Sequence, residues 1–197
     1  MLFRSTAVSC NRLGSNFAVF GIAFFIAPLL SGCAGVPDEV EPVTGFELGR
    51  YLGTWYEIAR LDHPFERGLS NITAEYSLRE ADGVRVINRG YSAEDKEWKQ
   101  AEGKAFFVGD EETAMLKVSF FGPFYGGYNV IELDKQNYEW ALVAGQNRAY
   151  LWILSRSSTM EPAVLEQLLE TGKRLGFPVE ELIWVDHDGS TQIPPAR

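Results

Sequence analysis

The chain has 197 residues, of which 46% are hydrophobic and 23% are charged. This composition is that of one folded domain with a real core, and it excludes an intrinsically disordered chain. The 18 basic and 27 acidic residues give a net charge of −9, so the chain lacks the basic surface that nucleic-acid binding requires. Two cysteines and two histidines leave little material for a metal site, and we expect neither a metal nor another cofactor.

The first 32 residues have the features of an export signal. Arg4 and Arg12 precede an uninterrupted apolar stretch, residues 17–30, and no acidic residue occurs in this region. At 14 residues the stretch suits the core of a signal peptide and is shorter than the ~20 residues of a membrane-spanning helix. A single-pass anchor is the alternative, because the uncharged stretch continues through residue 36. Pro28 and the small residues that follow favour cleavage.

The residues after this stretch resemble the lipobox of bacterial lipoproteins. Leu30, Ser31 and Gly32 stand immediately before Cys33, and small residues fit the groove of the signal peptidase. We therefore expect lipid attachment at Cys33 by the lipoprotein processing and sorting machinery, with enough acyl chains for stable anchoring. Ala34 follows, where an aspartate would signal retention in the inner membrane. The expected location is the outer membrane, lipid-anchored, with the domain facing the periplasm.

Cleavage changes the charge and the organisation of the chain. With Arg4 and Arg12 removed, the mature protein would carry a net charge of −11. Cys10 would be lost and Cys33 acylated, so the domain would fold without a disulfide. We expect four segments: a signal peptide over 1–32, a lipidated tether over 33–46, one domain over 47–188 and a tail over 189–197.

Turn residues recur about every dozen positions after residue 53, which is typical of an antiparallel sandwich or barrel. The segments between them predict eight strands: 53–61, 71–79, 84–91, 98–108, 114–121, 127–133, 138–144 and 150–155. Small side chains on one face of the fourth strand, Ala101, Gly103 and Ala105, favour a barrel with an internal cavity over a packed sandwich. A glycine in a strand can instead mark a bend where the sheet coils.

One helix is predicted after the strands. Ser158 and Glu161 have the spacing of a capping box, the leucines that follow form one apolar stripe, and Gly176 is placed to end the helix. Residues 182–185 predict a last short strand. The expected fold is all-β: an eight-stranded antiparallel up-and-down barrel with one C-terminal helix packed outside and a short final strand. This arrangement leaves no long sheet edge exposed.

Three segments resemble the motifs of the lipocalin family. Gly53 and Trp55 match the G-x-W of the first motif, and Arg156 follows the eighth predicted strand as in the third motif. The second motif, usually Thr-Asp-Tyr, is degenerate here over residues 137–140. Together with residues 120–134, these segments are similar to the bacterial lipocalins of outer-membrane lipoprotein type, the apolipoprotein D-like branch of the family.

The resemblance implies a lipocalin barrel in which Arg156 lies over Trp55 at the closed end, as a structural pair. It also implies a calyx for an apolar ligand, with lysophospholipids or fatty acids favoured, and a role in binding, storing or transporting lipids in membrane maintenance. A homodimer stays open, since homodimers occur in this bacterial branch. The candidate cavity residues, for which core packing is the alternative role, are Ala74, Tyr76, Ala105, Phe107, Tyr128 and Trp140.

Two other functions stay open on the sequence: a lipid-modifying enzyme on a lipocalin-like barrel, and a structural lipoprotein with a filled barrel. An enzyme needs a nucleophile with a positioned base. The sequence has no G-x-S-x-G motif and no free cysteine after processing, so we expect no enzyme. His63 and His187 have carboxylate neighbours but lie at opposite ends of the domain, and we expect both to be solvated loop residues.

We predict that Cys33→Ser leaves the protein soluble in the periplasm or unprocessed, because the lipid is the only anchor that the sequence predicts. No later apolar stretch approaches the ~20 residues of a spanning helix. Cell fractionation with a mass measurement of the processed chain tests this. A variant that stays in the outer membrane after losing its signal would contradict it.

Overall fold

Nine strands form one antiparallel sheet in the computed structural model, which describes residues 35–187. The strands are β1 Gly53–Arg60, β2 Leu69–Leu78, β3 Val84–Ser92, β4 Glu97–Phe107, β5 Met115–Ser119, β6 Gly126–Leu133, β7 Trp140–Ala144, β8 Leu151–Ser155 and β9 Ile183–Trp184. The helices are α1 Leu48–Tyr51 and α2 Pro162–Arg174, and a 3-10 turn occupies Val179–Glu181. The predicted signal peptide, Cys33 and the predicted tail lie outside the described residues. None of the helices within 35–187 has the length and apolarity to cross a bilayer.

The sheet closes into a barrel because β1 pairs with both β2 and β8. All neighbours from β1 to β8 are antiparallel and consecutive in the chain, apart from the closing pair, so the predicted up-and-down barrel is confirmed. The last residues of β1 pair with β9, which adds a short strand outside the barrel. An eight-stranded barrel encloses a space wide enough for side chains or one small ligand.

Apolar side chains alternate between an inner core and an outer core. In β7, Ala141 and Val143 belong to the inner core, whereas Leu142 and Ala144 belong to the outer core, which also contains Leu168 of α2. This period of two is what a strand imposes on its side chains. The helix therefore covers the outside of the barrel and leaves the interior to the inner core.

The helix α2 begins later than the sequence predicts. Its N-cap is Glu161 rather than Ser158, and Glu161 makes no side-chain capping bond. The helix starts instead on Pro162, whose fixed φ suits the first helical position and whose missing N–H would be unpaired there anyway. The predicted end is confirmed, since Gly176 has φ 79°, a left-handed conformation that glycine adopts without steric cost.

The described part of the predicted tether, residues 35–46, packs against the barrel. Asn129 donates a hydrogen bond to the carbonyl oxygen of Gly35 at 3.2 Å, and the amide of Val43 donates to the carbonyl oxygen of Val130 at 2.8 Å. Phe46 is buried in the inner core. The segment therefore runs from the first residues of β6 into the core, as an integral part of the folded domain.

One end of the barrel is closed by Arg156 lying over Trp55. The guanidinium carbon is 3.9 Å from the centroid of the indole, which is fully buried. Gly53, the first residue of the G-x-W motif, has φ 96°, a conformation that disfavours any side chain at this position. The guanidinium donates hydrogen bonds to five backbone carbonyl oxygens, those of Arg50, Tyr51, Leu52, Thr54 and Tyr138.

We predict that Trp55→Ala costs about 3–5 kcal/mol of unfolding free energy, because it opens a cavity in the inner core. Arg156→Ala should cost less, about 1.5–3 kcal/mol, through the loss of charged hydrogen bonds to the backbone. Chemical denaturation of both single variants and the double variant should give a coupling energy above ~0.5 kcal/mol.

The matched control is Arg67→Ala. Arg67 is exposed, and its ion pair within residues 35–187 is with the exposed Asp62, so its removal should change stability by less than about 1 kcal/mol. Additive effects of the Trp55 and Arg156 substitutions would show that their contact contributes nothing to stability.

Candidate functional site: the barrel cavity

A cavity of about 650 Å³ lies inside the barrel and opens at the end opposite Arg156. Its upper wall comes from the loops that join β1 to β2, β5 to β6 and β7 to β8, which all lie at that end. The volume falls in the range of small-molecule sites. A filled barrel, one of the alternatives left open by the sequence, does not match this interior.

Four of the six candidate cavity residues line the cavity: Ala74, Tyr76, Ala105 and Tyr128. Phe107 is not among the lining residues, and it packs beside Phe46 with 6.1 Å between ring centroids. The placement of Trp140 in the cavity is wrong, because Trp140 packs in the outer core. Since Ala141 and Val143 face inward, strand alternation turns Trp140 outward.

Gly103 makes room for an aromatic ring rather than for the ligand. A Cβ at Gly103 would lie 2.8 Å from the ring of Phe120, which itself lines the cavity. Ala101 and Ala105 on the same strand do line the cavity. The small side chains of Ala101 and Ala105 therefore leave open space in the cavity, whereas Gly103 allows the ring of Phe120 to pack against the strand.

Three tyrosine hydroxyls meet deep in the cavity. The hydroxyl of Tyr128 lies 2.7 Å from that of Tyr51 and 2.8 Å from that of Tyr76. Burial raises the pKa of all three tyrosines above the usual value, so they stay neutral. This part of the cavity is apolar apart from hydroxyls that already bond to one another.

A buried polar cluster forms one wall beneath the loop between β1 and β2. His63, only 3% exposed, lies 3.1 Å from a carboxylate oxygen of Glu66 on the same loop. The same carboxylate accepts hydrogen bonds from Trp152 of β8 at 3.3 Å and from Asn88 of β3 at 3.2 Å. The expectation that His63 is a solvated loop residue is therefore wrong. The β1–β2 loop folds inward over the barrel and carries the imidazole with it.

Arg60 and Glu57 extend this cluster along β1. A guanidinium N–H of Arg60 donates to Glu57 Oε1 at 2.9 Å, and another donates to the backbone carbonyl oxygen of Glu66 at 2.7 Å. Sequence periodicity offered a signal for Glu57, which follows Trp55 by two residues and so shares its face. It offered none for His63 or Glu66, because loop residues have no periodicity.

The two carboxyl groups of the cluster differ in protonation. Burial, followed by the charge of neighbouring Glu66, raises the pKa of Glu57 well above its usual value despite the nearby Arg60. Burial also acts to raise the pKa of Glu66, but hydrogen bonds from His63, Glu57 and Trp152 lower it overall. Glu57 is therefore the group that keeps a proton, which it shares with the carboxylate of Glu66.

His187 lies outside the cavity. Its Nε2 is 2.7 Å from the backbone carbonyl oxygen of Glu57, and its ring packs edge-on against Tyr56. His187 therefore has a structural contact on β1 instead of the solvated loop position expected from the sequence. Within residues 35–187, no group of three or more His, Cys, Asp or Glu side chains is arranged to hold a metal ion.

Comparison with known proteins places this barrel in a family. The model of the lipocalin-like domain matches residues 46–187. This chain belongs to the lipocalin family. The match confirms the resemblance carried by Gly53, Trp55 and Arg156, and it begins at Phe46, where the chain enters the inner core.

Several curated lipocalins are similar over most of this chain. Outer membrane lipoprotein Blc of Vibrio cholerae is 57% identical over 157 residues, which cover 80% of this chain and 92% of that protein. The protein of the same name from Escherichia coli is 56% identical over 154 residues, covering 78% and 86%. Apolipoprotein D of Bos taurus is 34% identical over 176 residues, covering 85% and 89%.

Solved structures show the same fold at lower identity. Insecticyanin from the tobacco hornworm Manduca sexta superposes with a TM-score of 0.63 at 23% identity, over 78% of this chain and 87% of that one. Lobster apocrustacyanin A1 gives a TM-score of 0.56 at 17% identity, over 77% and 92%. These likenesses support the barrel architecture alone.

We predict that the stability of the folded domain falls as the pH rises through the folded-state pKa of Glu57. Glu57 holds its proton more tightly when folded, so its contribution is complete below the unfolded pKa, near 4.5, and is lost at higher pH. Glu57→Gln keeps a neutral hydrogen-bonding group and removes this pH dependence. Denaturant midpoints between about pH 5 and pH 9 measure the slope.

The control for this series is Glu111→Gln, the same chemical change on an exposed turn. It should leave the slope of the parent protein unchanged. Equal slopes for the parent and Glu57→Gln would show that the Glu57 carboxyl does not carry the pH dependence.

Proposed function

We propose that this lipocalin binds one single-chain lipid, a lysophospholipid or a fatty acid, and stores or transports it in membrane maintenance. The observation that carries the proposal is the polarity of the cavity. Deep in the barrel the polar groups that the described residues contribute are the neutral hydroxyls of the three tyrosines, whereas the polar cluster of Glu57, Arg60, His63 and Glu66 lies beneath the loop at the open end. An acyl chain fits the first environment and a polar head fits the second.

The polar cluster also supplies unused hydrogen-bonding groups. Among the described residues, Nδ1 of His63 and Oδ1 of Asn88 are buried without a hydrogen-bond partner, and both residues line the cavity. A buried polar atom without a partner costs roughly 1–3 kcal/mol, which a ligand hydroxyl recovers by donating a hydrogen bond to it. These two atoms are the proposed contacts of the head group.

The proposed location is the outer membrane, with the domain anchored through Cys33 and facing the periplasm. The lipobox residues before Cys33 support it, as do relatives at 56–57% identity that carry the name outer membrane lipoprotein.

A lipid hydrolase is the second candidate, because a buried imidazole beside a carboxylate is an arrangement that a general base uses. His63 and Glu66 meet this description inside the cavity. Chromatography of lysophospholipid after incubation with the protein separates the two functions. Intact lipid supports the carrier, and free fatty acid supports the enzyme.

We predict that affinity rises with acyl chain length and then reaches a plateau. Burying each methylene contributes ~0.8 kcal/mol before ordering costs, until the cavity is full. Titration with fatty acids and lysophospholipids of increasing length, followed by tryptophan fluorescence, measures this. The signal should come from Trp152, which lines the cavity, and should be lost in Trp152→Phe.

Ala74→Phe provides a test of where the chain lies, because Ala74 lines the cavity. The added ring should move the plateau to shorter chains. Ala81→Phe makes the same change on an exposed turn between β2 and β3 and should not move it. An affinity independent of chain length, or equal binding of diacyl lipids, would contradict a cavity for a single chain.

A further inference from the structure

Three tyrosine hydroxyls meet between opposite walls of the barrel. Tyr76 lies on β2 and Tyr128 on β6, which are four strands apart in either direction around the barrel. Their hydroxyl oxygens are 2.8 Å apart, so the two side chains reach each other across the interior. Tyr51 of α1 adds a third hydroxyl, 2.7 Å from that of Tyr128. We call these three hydroxyls the hydroxyl trio.

The hydroxyl trio has one more hydrogen-bond donor than it uses. A neutral phenol hydroxyl has one proton to donate and lone pairs with which to accept. Three hydroxyls joined by two hydrogen bonds therefore leave one O–H without an acceptor, whichever way each bond points. Within residues 35–187, the three hydroxyls make no hydrogen bond besides these two.

The unused donor lies away from bulk water. Tyr51 is 2% exposed and Tyr76 is 7% exposed. The ring of Tyr51 packs against Trp55 and Phe46, with centroid distances of 4.7 Å and 5.1 Å, and neither side chain contains an oxygen acceptor. Buried donors in native proteins nearly always have a partner. All three tyrosines line the cavity, so a molecule that enters it can supply the acceptor.

The acceptor that fits this place is an uncharged oxygen. The nearest cation, Arg156, lies behind the indole of Trp55 and already donates to backbone carbonyl oxygens. A carboxylate or phosphate at the hydroxyl trio would lose its hydration in exchange for one hydrogen bond. It would also lie in the same cavity as the acidic side chains Glu57 and Glu66. A hydroxyl or keto oxygen has far less hydration to lose.

We propose that the preferred ligand is an amphiphile whose acyl chain carries a hydroxyl or keto oxygen, which accepts a hydrogen bond from the hydroxyl trio. The proposal rests on the lipid binding proposed above. It adds a second polar contact, separate from the head-group contacts at His63 and Asn88. The rest of the acyl chain lies against apolar side chains of the same cavity, such as Val86, Leu116 and Val118.

Competition between matched fatty acids tests this proposal. Stearic acid is compared with hydroxystearic acids that differ only in the position of the hydroxyl, from the middle of the acyl chain to its end. At one position the hydroxyl should increase affinity about fivefold over stearic acid, the usual net value of one neutral hydrogen bond. At the other positions it should decrease affinity, because an unpaired hydroxyl is unfavourable in an apolar cavity.

A triple substitution removes the donor and keeps the three rings. A single Tyr→Phe change is not enough, because two hydroxyls joined by one bond still have one unused donor. In the variant Tyr51→Phe, Tyr76→Phe, Tyr128→Phe, stearic acid should still bind, which shows that the variant is folded, and the preference for the hydroxylated chain should be lost. Tyr150→Phe is the matched control and should keep the preference, because Tyr150 lines the cavity from the β7–β8 loop, outside the hydroxyl trio.

Infrared spectroscopy detects the same hydrogen bond without any substitution in the protein. A ketostearic acid with its keto oxygen at the preferred position is bound to the parent protein. Its ketone C=O stretch should lie at lower wavenumber than in a hydrocarbon solvent. The same ligand bound to the triple variant should show no such shift.

The outcomes separate this proposal from the proposed function. A parent protein that binds neither stearic acid nor any hydroxystearic acid would overturn both. Binding of stearic acid at least as tight as that of every hydroxystearic acid would overturn the role of the hydroxyl trio alone. A preference that persists in the triple variant, or a ketone stretch that does not shift in the parent protein, would also overturn that role and leave lipid binding in place.

Discussion

Arg156 places its guanidinium 3.9 Å above the indole of Trp55 and donates hydrogen bonds to carbonyl oxygens at the C-terminal end of α1 and just beyond it. A cation against an aromatic face is favourable, and its value increases when the pair is desolvated. The backbone acceptors around the helix gain partners that water would otherwise supply. Because this contact seals one end of the barrel, a ligand enters and leaves only through the other end.

An internal cavity lowers the stability of the folded state, so contacts elsewhere in the fold must compensate for it. Protein interiors are normally packed as densely as organic crystals, and side chains around open space forfeit dispersion contacts. Here the lost contacts lie on the inner face of the sheet, while the outer face gains a second core in which Leu142, Ile153 and Leu168 are completely buried. The helix α2 stabilises the barrel from outside, so the interior does not have to be filled.

The sequence predicted the architecture closely and the local contacts less well. All eight barrel strands were predicted, because alternation and turn residues are local signals. Trp140 was misplaced because the sequence of β7 does not show which of its two faces points inward; the inward face is that of Ala141 and Val143. A slip of one residue in this assignment exchanges the inward and outward faces of the whole strand.

The buried polar cluster escaped prediction for a different reason. His63 and Glu66 lie in the β1–β2 loop, and their burial depends on how that loop packs against β3 and β8. No pattern in a single sequence encodes a contact between residues so far apart in the chain. The start of α2 shows the same limit on a smaller scale. The sequence predicted a capping box that begins at Ser158, but the helix begins at Pro162.

The polarity of the cavity determines how an amphiphile lies in it. A charged head group placed near Tyr51 and Tyr128 would lose its water and gain only hydroxyls that already bond to one another. An acyl chain at the same place has no polar group whose hydration would be lost. The head group is therefore left at the wall formed by Glu57 and His63, nearer the mouth. Because Arg156 and Trp55 close the other end of the barrel, an amphiphile enters the cavity tail first, and its head group comes to rest at this wall.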